Sequence, residues 1–339
     1  MKLSIVDQSP VSSGSTPAQA LANTIELARL ADGLGYERYW IAEHHGMQTL
    51  ASPAPEILLA RLGAETSRMR IGSGGVLLPH YSPLKVAEVF RTLHALYPNR
   101  IDLGLGRAPG GTQLESRALR RDRTAAPPVD DFPERLLELL AFLERDFPKD
   151  HLYSKITVSP EMPGGPDVWL LGSSMWSAAA AAQLGLPYAF AHFIDPQSTR
   201  PAIERYRSEF QPSTRLTRPK TILAMGALCA DTEAEAQRLH ASSRALLRRI
   251  RTFPREPGLI PTPDDALAEL ATGLDPAIFE TGEWPRYAVG TPRSVRAQLE
   301  HIAAELLVEE LMLVTIVHSH QARLHSYELL AGAFQLTRL

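Results

Sequence analysis

Short apolar runs alternate along this chain with longer stretches in which apolar residues recur every three or four positions. The runs predict strands over residues 3–7, 38–42, 70–76, 101–105, 167–171, 188–192, 221–228 and 311–316. Most are continuously apolar, the pattern of parallel strands covered on both faces.

The intervening stretches carry helix punctuation. Thr16-Pro17-Ala18-Gln19 reads as a capping box with Pro17 in the first turn. Leu21, Ile25 and Ala28 follow at helical spacing, and Gly33 and Gly35 close the helix. Ser82-Pro83 and Thr291-Pro292 repeat the start signal before "LKVAEVFRTLHAL" and "RSVRAQLEHIAAEL".

Eight strand-then-helix units point to an α/β fold, a closed (β/α)8 TIM barrel with loop insertions. Alternation alone leaves a doubly wound open sheet as the alternative. No G-x-G-x-x-G follows the first strand, which weakens its dinucleotide-binding version. The 339 residues read as a single barrel domain over 1–339, longer than the roughly 250 residues typical of the architecture. Two segments account for the excess. Residues 109–133 are rich in Arg, Gly and Pro; residues 253–287 are rich in Pro, Asp and Glu, with a short helical piece near 264–271. Long loops of this kind are lids, binding loops or disordered segments.

Composition narrows the function classes. Hydrophobic content of 44% and charged content of 22% are those of a globular domain. A net charge of −3 gives no general attraction to nucleic acid or anionic membranes. No apolar run reaches the roughly 18 residues of a membrane span. MKLSIVDQSP lacks the pattern of a secretory signal, so a cytoplasmic protein is expected. Cys229, the single cysteine, lies in an apolar run and reads as a packed thiol.

In such a barrel the C-terminal ends of the strands face the active site. That rule selects Asp7, Gln8 and Ser9; Glu43, His44 and His45; Gly74 and Gly75; Arg107; Ser173 and Ser174; and His192. His44 and His45 point to opposite sides if the backbone is extended, so only one faces the barrel mouth. This counts against a paired metal clamp, and no metal is expected. A rim histidine without chemistry stays open on position alone. Gly74 and Gly75 mark either a bulge or the close approach of a ligand. "LGSSMWSAAAAAQLG" offers backbone amides and the hydroxyls of Ser173, Ser174 and Ser177 at a helix start. That suits a phosphate, with Arg107 as counter-charge, although Ser174 also reads as an ordinary N-cap. The basic run "RALRRDR", residues 117–123, reads as a solvated face or a cover for an anionic tail.

Four blocks in order, "RYWIAEHHGM", "IGSGGVLLPHYSPLKVAEVFRTLHALYPNRIDLGLGRAPG", "VWLLGSSMWSAAAAAQLG" and "YAVGTPRSVRAQL", resemble the bacterial luciferase-like flavin monooxygenases over nearly the whole chain. The likeness is to the homodimeric relatives of unassigned substrate. It implies a small-molecule substrate, reduced FMN supplied by a separate flavin reductase, molecular oxygen, and a homodimer. It places the family's strand-two histidine on His44, where it assists the flavin–oxygen chemistry; Glu43 and His45, its neighbours in sequence, are expected to hold it in place. It places a non-proline cis peptide on Gly74-Gly75, the phosphate arginine on Arg107, and the phosphate loop on Ser173, Ser174 and Ser177. Two departures count against light emission from long-chain aldehyde. Leu105 stands where luciferase has a reactive cysteine, and residues 253–287 show no counterpart of its mobile loop. A deazaflavin-dependent oxidoreductase of the same fold is the alternative, with residues 117–123 meeting an anionic coenzyme tail. A flavin-binding protein without turnover is the other.

Overall fold

The computed structural model describes residues 1–119, 130–253, 256–273, 275 and 282–337. Nine parallel strands are found there: β1 (Lys2–Asp7), β2 (Arg38–Ile41), β3 (Arg70–Leu77), β4 (Ile101–Gly106), β5 (Asp167–Gly172), β6 (Tyr188–Ala191), β7 (Thr221–Cys229), β8 (Tyr287–Gly290) and β9 (Glu310–Val314). The helices of the described residues are α1 (Pro17–Leu34), α2 (Pro55–Glu65), α3 (Pro83–Leu96), α4 (Gln113–Ala118), α5 (Phe132–Glu144), α6 (Met175–Gln183), α7 (Thr199–Ser208), α8 (Glu233–Thr252), α9 (Pro263–Ala271), α10 (Pro292–Glu305) and α11 (His320–Ala333).

Strands β1 to β7 pair in sequence and β9 joins β7 to β1, closing an eight-stranded barrel. The ninth strand was not expected. β8 pairs only with Gly226 to Cys229, the end of β7, beyond the stretch where β6 lies. It begins at Tyr287, where the predicted 253–287 segment ends, so that insertion returns to the barrel wall. The other predicted boundary at Pro133 falls inside α5.

Alternating residues explain why the strands read as continuously apolar. Val6, Trp40, Trp169, Ala189, Ile222, Ala224 and Met312 fill the barrel interior. Their neighbours Ile5, Tyr39, Ile41, Leu170, Phe190, Leu223 and Leu313 pack outward against the helices. Both faces are therefore buried.

Local signals mark the helix starts, with corrections: Gly33 lies inside α1, and Ser82 makes no side-chain cap bond at α3. The Thr16 side chain accepts from Gln19 N, but Gln19 Nε2 donates to Asn23, so only half of the capping box forms. The buried face of α1 is Ala20, Thr24, Leu27, Ala28, Ala31 and Leu34, leaving Leu21 and Ile25 half-buried. Gly35 ends the helix at φ 90°, and a Cβ there would collide with the Thr337 backbone, so both conformation and space call for glycine.

The barrel floor is ionic. Arg38, at the start of β2, donates to Asp102 Oδ2 at 2.8 Å and to Glu310 Oε1 at 2.8 Å. Trp40 Nε1 also donates to Asp102 Oδ2 at 2.9 Å, and Arg70 donates to Oδ1. The N-terminal end is thus sealed by mutually satisfied charges, leaving the opposite end to form a pocket.

Candidate active site

A cavity of about 350 Å³ opens at the C-terminal ends of the strands. It lies within the size range of small-molecule sites. Its walls include His44, Gly74, Gly75, Arg107, Ser173, Ser174 and Ser177, so the fold gathers all seven predicted site residues around one space. Trp40 and Met312 from the barrel interior and Phe193 and Ile194 from the loop after β6 complete its apolar surface.

His44 faces this space after β2. Its backbone N–H donates to Ser52 O at 3.1 Å, which fixes the turn. Its Nδ1 is buried and has no hydrogen-bond partner. Burial, and secondarily the neighbouring His45, push its pKa down to about 4. The ring is therefore neutral near pH 7, with one nitrogen lacking a partner in a place where that is costly.

The expectation that Glu43 and His45 hold His44 is not met. His45 Nε2 bonds Glu43 Oε1 at 2.7 Å, Tyr81 donates to the same oxygen at 2.7 Å, and Leu77 N donates to Oε2 at 3.0 Å. His45 N also donates to Gly110 O at 2.8 Å. Adjacent side chains of an extended backbone diverge, so Glu43 and His45 tie the β2 exit to the β3 exit and the loop at Gly110. His44 is left to the cavity.

The peptide between Gly74 and Gly75 is cis. A Cβ on Gly75 would lie 2.7 Å from Gly104 O, and one on Gly74 would lie 3.0 Å from Trp40 Cβ. Glycine is required here by packing between β3 and its neighbours.

Ser174 caps α6, accepting from Ser177 N at 3.3 Å. The Ser177 hydroxyl donates to Ser174 O at 2.8 Å and lies 2.9 Å from the Tyr188 hydroxyl. Its hydrogen is committed, so Ser177 shapes the turn; with Ser177 N taken by the cap, the Met175 and Trp176 amides at the start of α6 are the backbone donors left for an anion. Arg107 stands beside them, its guanidinium 4.4 Å from the Trp176 ring centre and 3.2 Å from Asp130. Trp176 was not among the predicted residues. An aromatic in the first turn of the serine helix was its only sequence signal.

Two strand-end residues belong elsewhere. His192 bonds Thr199 at 2.8 Å and Pro285 O at 2.9 Å and does not line the cavity. Asp7 pairs with Arg323 at 2.6 Å and accepts from Tyr39 and Ser9 N. Burial raises its carboxyl, but Arg323 and these hydrogen bonds outweigh that and hold it below its ordinary value. Both are fold-closing contacts. Cys229 is buried, and burial pushes its thiol up to about 12. Residues 120–123 of the basic run lie outside the described residues. Among the described residues no cluster of three or more His, Cys, Asp or Glu could hold a metal, and no helix is long and apolar enough to cross a membrane.

Fold and cavity together define a parallel (β/α)8 barrel with a cavity at its C-terminal mouth. The chain belongs to the luciferase-like monooxygenases, a family of oxidoreductases: the family's sequence model matches residues 1–310. It is 39% identical over 331 residues to a luciferase-like monooxygenase of Escherichia coli, covering 96% of this chain and 95% of that one. It is 36% identical over 338 residues to the N-acetyl-S-alkylcysteine monooxygenase of Bacillus subtilis, with 98% of both covered. The crystal structure of apo-MsnO8 superposes with a TM-score of 0.92 at 53% identity, covering 100% of this chain and 99% of that one. Distant structural neighbours share the fold and bind FMN or F420. One is the oxygenating constituent of 3,6-diketocamphane monooxygenase from Pseudomonas putida in complex with FMN, with TM-score 0.69, 20% identity, and 98% and 96% coverage. Another is an F420-dependent secondary alcohol dehydrogenase with an F420–acetone adduct, with TM-score 0.66, 15% identity, and 98% of both covered.

Proposed function

We propose that this protein is a flavin-dependent monooxygenase that takes reduced FMN from a separate reductase, uses molecular oxygen, and works as a homodimer. The observation that carries the reading is the pairing, within one cavity, of a neutral imidazole with a buried unpartnered nitrogen and an anion-binding end. The residues fit the cofactor. The backbone at Gly74 and Gly75 lines the cavity along β3, where a flat ring could lie against it, while Trp40 supplies apolar wall. Arg107 and the first-turn amides of α6 suit a terminal phosphate. Reduced FMN, when bound, supplies the two electrons for oxygen activation.

The chain's own part is positional and protic. Arg107 and α6 anchor one end of the cofactor. The apolar walls keep water from the reacting centre. His44, neutral at working pH, lines the cavity with its imidazole, which can hold or pass one proton.

The test is an anaerobic titration with reduced FMN, followed by rapid mixing with oxygenated buffer while absorbance is followed. Saturable binding and a distinct phase before the oxidised-flavin spectrum appears are expected. Binding of reduced deazaflavin in preference to reduced FMN would replace this reading with hydride transfer. Binding with simple reoxidation and no oxygen-dependent product would replace it with flavin storage.

A further inference from the structure

A second cavity of about 320 Å³ lies beside the first, and Gln8, Phe193 and Ile194 line both. Its far wall is one face of α8. His240, Ser243, Arg244, Leu247 and Arg251 fall there at helical spacing on one face, with Leu246 and Ile250 alongside. Ile316, Arg286 and Tyr287 close it from the barrel side.

The lining is divided by chemistry. Leu246, Leu247, Ile250, Ile316, Phe193 and Ile194 form an apolar body, whereas the charged lining residues, among the described residues, are all cationic: Arg244, Arg251 and Arg286. Arg286 is already engaged, donating to the carbonyls of Phe193 and Ile194. Arg244 pairs through Nη1 with Asp275 at 2.8 Å, but its Nε is buried without a hydrogen-bond partner. Arg251, exposed at the end of α8, has no acidic partner among the described residues. His240 adds no charge near pH 7, because burial, with Arg244 beside it, pushes its pKa down to about 4. A ligand here meets apolar surface and an excess of guanidinium over carboxylate, and it meets them next to the cavity assigned to the flavin.

We propose that this second cavity is the substrate chamber and that the substrate is a small amphipathic carboxylate. Its alkyl or aryl body rests on Leu246, Leu247, Ile250 and Ile316, and its anionic end is held by Arg251 and Arg244. As a substrate site it rests on the flavin reading above; as a carboxylate site it does not. An apolar body alone would leave the guanidiniums to water, while a carboxylate pairs with them in a partly desolvated setting where such bonds are strongest. Gln8, Phe193 and Ile194 line both spaces, so a ligand in the second cavity lies next to the flavin cavity.

Isothermal titration of the flavin-free full-length protein with octanoate and with octanamide tests the idea. Octanoate is expected to bind about tenfold or more tighter than the amide, as a charge-assisted pairing predicts. Arg251→Gln should erase that preference, Arg251→Lys should keep most of it, and reduced-FMN binding should persist in both variants. Equal binding of the two ligands, no binding of either, or an unchanged preference in Arg251→Gln would overturn the proposal. Should octanoate discriminate while reduced FMN fails to bind, the flavin reading falls and the carboxylate site stands.

Discussion

His45 Nε2 lies 2.7 Å from Glu43 Oε1, while His44, one residue earlier, leaves its buried Nδ1 without a hydrogen-bond partner. Two imidazoles that look equivalent in sequence are thereby divided. One is tied to a carboxylate that also receives Tyr81 and Leu77 N, and serves the frame. The other is presented, neutral, to a cavity. The predictions below separate the frame from the site.

Replacing His44 with Ala should leave the binding of reduced FMN little changed and lower oxygen-dependent product formation about 100-fold, the usual size of a lost proton-transfer group. Stopped-flow and product assays on the same preparation give both quantities. A product rate equal to wild type would remove His44 from the chemistry.

Arg107→Ala should weaken FMN binding about 10- to 100-fold through loss of a charge-assisted contact. Riboflavin, which has no phosphate, should bind wild type and variant alike. If riboflavin binding weakens as much as FMN binding, Arg107 supports the pocket rather than the phosphate.

Asp102→Asn tests the opposite end of the barrel. Asp102 is fully buried and receives Arg38, Arg70 and Trp40, so neutralising it leaves a buried guanidinium poorly compensated. Stability should fall by about 3–5 kcal/mol in denaturant titrations. The affinity of the protein that remains folded for reduced FMN should not change, because the substitution lies on the barrel floor.

The depressed histidines set a pH dependence. His44 and His240 both have pKa values of about 4 in the folded chain, below the ordinary 6.5. Between pH 4 and 6.5 the unfolded chain therefore binds more protons, and stability from these groups rises with pH across that window. It is complete above 6.5 and lost as pH falls toward 4. Urea midpoints at pH 5 and pH 7 should differ less in His240→Phe than in wild type; an equal difference would show that His240 is not held neutral by the fold.

Much of the fold was legible in the order of residues. Parallel strands covered on both faces must be apolar at successive positions, so runs such as Tyr39-Trp40-Ile41 mark themselves without reference to any partner. Caps are equally local: Thr16, Ser174 and Gly35 act on backbone groups only a few residues away. The strand-end rule placed His44, Gly74, Gly75, Arg107 and the serine turn among a wider set at one mouth, because closure of a barrel carries the same end of every strand there, and the family resemblance narrowed that set. Tertiary structure alone decided the rest. The β8 strand is four residues long and half-buried at two of them, too short a signal to declare itself outside its pairing with the end of β7. His192 satisfies the strand-end rule, yet the chain before β8 supplies Pro285 O and turns it into a structural contact. The partners of Glu43 and His45, the placing of Trp176 against Arg107, and the joining of α8 to the loop after β6 around a second cavity all depend on atoms from distant segments. Such contacts are set by packing in three dimensions, which no local pattern along the chain records.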